Sequence, residues 1–123
     1  MKYFKCTAGA TKLILSDCQL DDDALMEVTS SLLLGGRELK LEDLDLSDNL
    51  IQAVGCKHVA AILLSTKIKR INLSKNPMML AEGFQEICKA VHSNRHIQSL
   101  DFHECGIDLS GATGWQETLE DIK

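Results

Sequence analysis

At 123 residues the chain has room for one domain with a real core, and not for two. Its formal charge of −5, from 18 acidic against 13 basic residues, counts against nucleic acid as a partner, because neutralising phosphates takes clustered Lys and Arg. With 4% aromatic residues the core must be built from Leu, Ile, Val, Met and Ala, which suits thin stacked layers better than a globule packed around large rings. No Lys/Arg run exceeds two residues and no stretch approaches the roughly 18 apolar residues that span a bilayer, so membrane attachment is not expected.

The five cysteines, an odd number without a C-x-x-C pair, offer neither a disulfide framework nor a zinc half-site. They are expected to be structural, reduced and buried, which points to a cytoplasmic setting. The opening Met1-Lys2-Tyr3-Phe4-Lys5 is basic, but no apolar region of about 7–15 residues follows it, so a secretory leader is not expected.

One phrase recurs four times: Ala10-x-x-Leu13-x-Leu15-x-x-Cys18-x-Leu20, Leu41-x-x-Leu44-x-Leu46-x-x-Asn49-x-Ile51, Ile68-x-x-Ile71-x-Leu73-x-x-Asn76-x-Met78 and Ile97-x-x-Leu100-x-Phe102-x-x-Cys105-x-Ile107. Its copies start at Ala10, Leu41, Ile68 and Ile97, a nearly even spacing. In each, the period-two aliphatic pair predicts a short strand with one buried face. The Asn or Cys three positions later ends the strand, its side chain meeting backbone groups that no ladder satisfies. Cys18, Asn49, Asn76 and Cys105 are therefore expected to be structural.

In chain order, residues 1–9, with Tyr3, Phe4 and Cys6, form a thin N-terminal edge. The first repeat, 10–40, places a helix over 22–34, with Asp21-Asp22-Asp23 capping its positive end, and Gly35-Gly36 opens a longer connection. The second, 41–67, has a helix over 52–66. The third, 68–96, has the only proline, Pro77, just past the strand, then a helix over 81–93 with Asn94 at its C-cap. The fourth, 97–123, ends in a helix over 110–122 whose Trp115, Leu119 and Ile122 stripe caps the stack. Small residues open these helices (Ala24, Gly55, Gly83, Gly111), as close approach to the next coil requires. Larger apolar residues four and eight positions on (Val28 and Leu32, Val59 and Leu63, Ile87 and Val91, Trp115 and Leu119) form the buried stripe.

The phrase is the leucine-rich repeat template. Strand–turn–helix units as long as Leu41 to Lys67 and Ile68 to His96 resemble its ribonuclease-inhibitor-like subfamily, and the resemblance covers residues 10–119. Ala90 to Leu100 is also similar to repeats of tropomodulin-type, nucleotide-binding-receptor and ciliary scaffold proteins. The resemblance implies an α/β solenoid of about four coils, with a short parallel sheet on the concave face and helices on the convex face. It further implies a non-catalytic protein-interaction module or small scaffold or assembly subunit. The alternative is a regulator of an enzyme, such as a GTPase-activating factor, with Arg70 and Asn72 as its weak candidates.

On this layout the strands turn sixteen residues away from the helices. The central row is Ile14, Asp45, Asn72 and Asp101; Lys12, Asp43, Arg70 and Ser99 flank it on one side, and Ser16, Ser47, Ser74 and His103 on the other. Asp17, Asp48, Lys75 and Glu104 stand at the strand exits. Six acids against three bases predict a partner that presents basic residues to Asp43, Asp45 and Asp48. Arg70, Asn72, Lys75, Asp101, His103 and Glu104 complete the candidate surface. Four strands about 4.8 Å apart give a face of roughly 300–400 Å², below the roughly 800 Å² per partner of a standard interface. Loops, a larger assembly or self-association at the N-terminal edge must then contribute. No cofactor or metal is expected: His92 and His96 are four apart without a third ligand, His103 projects away from Cys105, and no phosphate loop occurs.

Overall fold

The computed structural model describes residues 11–34, 40–94 and 96–106. The expected N-terminal edge, the fourth helix and its Trp115, Leu119 and Ile122 stripe lie outside these. Among the described residues seven elements alternate: β1 (Lys12–Ile14), α1 (Asp22–Leu34), β2 (Asp43–Asp45), α2 (Ala53–Ser65), β3 (Arg70–Asn72), α3 (Leu80–Ser93) and β4 (Ser99–Asp101). The strands form one parallel sheet in chain order. Its register sets Leu13 beside Leu44, Leu44 beside Ile71 and Ile71 beside Leu100. The equivalent aliphatics of neighbouring coils thus align into one seam, and Leu44, Ile71, Leu46 and Leu73 are buried.

The strands are short because their ends are taken over by side chains. Asn49 Oδ1 accepts from the N–H groups of Cys18 and Leu20, each at 3.0 Å, while its Nδ2 donates to the carbonyls of Leu15, Leu46 and Ser47. Asn76 repeats this one coil on: Oδ1 accepts from Ile51 N–H at 3.1 Å, and Nδ2 donates to Leu46, Leu73 and Ser74. Both residues are buried, and both tie a coil to the preceding one. Cys105 does the same with less, its thiol donating to Leu73 O at 3.0 Å. Cys18 departs from expectation. It is exposed, and its thiol reaches only Ser16 O within its own turn, because no earlier described strand supplies a carbonyl.

The residue before each of these four positions takes a left-handed backbone: Asp17, Asp48, Lys75 and Glu104 have φ of 51–59°. That conformation turns the chain off the sheet and costs a non-glycine residue free energy, less for Asp than for Lys or Glu.

The helices follow the sequence with one informative shift. In the first two coils the small helix-opening residue stands six positions after the Asn/Cys slot (Cys18 to Ala24, Asn49 to Gly55); from Asn76 to Gly83 it stands seven. The extra residue displaces the buried position by one: Met79 is 1% exposed, whereas Met78, which holds the last position of the repeat phrase, is 55% exposed. Pro77 and a left-handed Leu80 (φ 59°) absorb the insertion, and α3 starts at Leu80. The expected core residues Val28, Leu32, Val59, Leu63, Ile87 and Val91 are all buried.

Gly55 and Gly83 face the preceding coil, not the next one. A Cβ on Gly83 would lie 2.9 Å from Cys56 Sγ and 3.3 Å from Ala53 Cα; one on Gly55 would strike the Asp22 carboxylate. That carboxylate also accepts from Gln52 N–H at 2.8 Å, so Asp22 caps the neighbouring helix, while Asp21 caps its own through Ala24 N–H at 2.9 Å. At the other end of the helices Asn94 does the equivalent. Its buried amide donates to Leu63 O, and its carbonyl oxygen accepts from His96 N–H at 2.6 Å, joining α3 to α2.

Candidate functional site: the concave sheet face

Side chains at alternate strand positions leave the sheet on the face opposite the helices. There the sheet forms an open depression of about 380 Å³ lined by Lys12, Asp43, Asp45, Arg70, Asn72, Ser99 and Asp101 among others. The central row is engaged at its own strand ends. Asp45 Oδ1 accepts from both the N–H (2.9 Å) and the hydroxyl (2.6 Å) of Ser47. Asn72 Oδ1 accepts from Ser74 N–H and hydroxyl at 3.0 and 2.7 Å, and Asp101 Oδ1 lies 2.5 Å from His103 Nδ1. The recurrent i, i+2 pattern (D-x-S, N-x-S, D-x-H) is a side-chain turn, legible in the sequence as such a pattern. One oxygen per residue is consumed; the second carboxylate oxygens of Asp45 and Asp101 and the Asn72 amide nitrogen have no hydrogen bond among the described residues.

The flanking row is balanced internally. Asp43 stands between Lys12 and Arg70 in the register and is ion-paired with Arg70 Nε. Glu42 lies 3.8 Å from Arg70 and 3.6 Å from Lys69. These pairs are partly exposed, so each contributes less than about 1 kcal/mol, but they neutralise one of the three acids of the expected patch. At the strand exits Asp48, Lys75 and Glu104 are exposed. They carry no ion pair among the described residues, while backbone bonds from Asp48 N–H to Ser74 O and Lys75 N–H to His103 O fix the positions of the first two. Free negative charge is thereby concentrated toward the strand-exit side, at Asp45, Asp48, Asp101 and Glu104, with Lys75 between.

Arg70 and Asn72, on which the enzyme-regulator reading depends, are both engaged within the sheet. Among the described residues no three His, Cys, Asp or Glu side chains come together as a metal site. No described helix is long and apolar enough to cross a membrane. The buried thiols are poor nucleophiles: burial, with the Asp22 charge second, pushes Cys56 from 9.0 to about 12, and burial pushes Cys88 to about 11. Sequence reasoning missed the coil-joining roles of Asp22 and Asn94. Their residue types announced caps, but which helix each serves is set by stacking.

A family model described as Leucine Rich repeat matches residues 39–60 and 93–114. A comparison with curated proteins found no match. The two matched repeats, set in a four-strand parallel sheet backed by helices, fit the fold of an α/β leucine-rich repeat solenoid.

Proposed function

We propose that this protein is a non-catalytic interaction module that binds a partner protein through the concave sheet face and the strand-exit loops, and that the partner is basic where it meets them. Leucine-rich repeats generally mediate protein–protein contact, typically without enzymatic activity. The observation that carries the reading is the row of carboxylate oxygens left open at Asp45 and Asp101 beside exposed Asp48 and Glu104, while Asp43 is neutralised by Arg70. Long coils with full outer helices support placement in the ribonuclease-inhibitor-like subfamily. The free thiols of Cys56, Cys88 and Cys105 support a reducing, cytoplasmic setting. The small face favours a role as one contact within a larger assembly.

Crosslinking and affinity capture from the source cell, comparing wild type with Asp45→Lys/Asp48→Lys, tests this. The double variant should lose a partner crosslinked at the sheet face by at least about tenfold, as a loss of roughly 1.4 kcal/mol or more implies, and Asp43→Lys by much less. Equal capture by the double variant would retire the basic-partner reading.

A further inference from the structure

The charges of the concave face fall into bands that follow the coils. The register sets Ile14 beside Asp45, Asp45 beside Asn72 and Asn72 beside Asp101. Backbone bonds from Asp17 N–H to Ser47 O, Asp48 N–H to Ser74 O and Lys75 N–H to His103 O carry the same stacking through the strand exits. The second coil therefore presents Asp45 and Asp48, the third Asn72 and Lys75, and the fourth Asp101 and Glu104. In the second and fourth coils one carboxylate oxygen is open on the sheet and a further carboxylate stands at the exit. Between them the third coil offers the Asn72 amide N–H groups and the Lys75 ammonium. The first coil contributes Ile14, 56% exposed at the head of the row. Across the strands the surface thus runs apolar, acceptor, donor, acceptor.

We propose that this face receives a helix of the partner protein laid across the strands, bearing an apolar residue, a Lys or Arg, a Glu or Asp and a second Lys or Arg on successive turns. The inference rests on the partner reading above and refines it: the partner is basic at the second and fourth coils and acidic at the third. Spacing selects the helix. Neighbouring strands lie about 4.8 Å apart, and side chains on one face of a helix recur about every 5.4 Å. Over the three steps from Ile14 to Asp101 the mismatch is about 1.8 Å, within the reach of long side chains. An extended chain repeats its same-face side chains about every 6.8 Å and would be about 6 Å out over the same steps. Charge selects the order. A wholly basic helix fits less well, because its middle turn meets Lys75, with Arg70 on the same coil.

Calorimetric titration of the full chain with alanine-based helical peptides of about 20 residues tests the proposal. The matched peptide carries Lys, Glu and Lys on successive turns of one face, Leu one turn beyond at each end so that either direction is served, and a Lys on the opposite face. The control exchanges the Glu with that opposite Lys, so composition and net charge stay the same. The matched peptide should bind about three- to tenfold more tightly than the control. Lys75→Glu should invert that preference, a readout that a mere loss of fold cannot give. A proline in the middle of the matched peptide should weaken binding at least about tenfold, since it breaks the helix. A control that binds as tightly as the matched peptide overturns the banded fit and leaves the basic partner standing; equal binding of the proline peptide overturns the helix. If no peptide binds at about 1 mM, the inference falls, and the capture experiment judges the partner reading on its own.

Discussion

Asn49 makes five hydrogen bonds to two coils from one side chain. Asn49→Ala strands buried donors and acceptors on both, and should cost about 2–4 kcal/mol in urea unfolding. Cys18→Ala, at the exposed copy of the same position, should stay within about 0.5 kcal/mol. The contrast follows from position in the stack rather than residue type. Asn at that spacing announced a structural role in the sequence, but exposure at Cys18 depended on what surrounds it in the stack. Gly55 makes the same point through packing. Its missing Cβ leaves room for the Asp22 carboxylate that caps α2, so Gly55→Ala should destabilise by about 1–3 kcal/mol. Asp22→Ala has its own cost, the lost cap, but in the double variant the two losses should add to less than their sum by at least about 0.5 kcal/mol. A small residue at this site was legible from the sequence; the carboxylate that demands it was not, because it comes from the preceding coil.

At the scale of elements, the helical period located all three described helices to within a residue, since their buried stripes carry large aliphatics at regular spacing. The register of α3 was harder to read. Met78 and Met79 are chemically identical neighbours, and one inserted residue decides which points inward. Met79→Ala should therefore cost about 2–5 kcal/mol, and Met78→Ala should fall within about 0.5 kcal/mol, measured by thermal or urea unfolding.

For the molecule as a whole, the buried thiols set an alkaline limit. Cys56 and Cys88 hold their protons in the folded state to about 12 and about 11, against an ordinary 9.0. The unfolded chain loses these protons first, so the stabilisation they supply is complete below the ordinary thiol value and is lost as pH rises through the window above it. Stability should fall there by about 1.4 kcal/mol per pH unit for each thiol. Cys56→Ala/Cys88→Ala should show a shallower decline in urea midpoints between about pH 8.5 and pH 10.5, and an identical slope would refute the assignment.

The amino-acid sequence by itself determined the coil: strand, turn and helix each rest on short-range period and on side chains that act within a few positions of their origin. Alternation along a strand is local, and Lys12, Asp43, Asp45, Arg70, Asn72, Ser99 and Asp101 do line one depression, whereas Ser74, expected to turn outward with them, is buried. Only the tertiary structure decided which of their charges remain open. Asp43 is paired with Arg70 because stacking sets them in one row, and Asp45, Asn72 and Asp101 are each half-engaged at their own strand ends. Which carboxylates face a partner depends on distances between coils remote from each other along the chain, and those distances exist only after the coils have stacked.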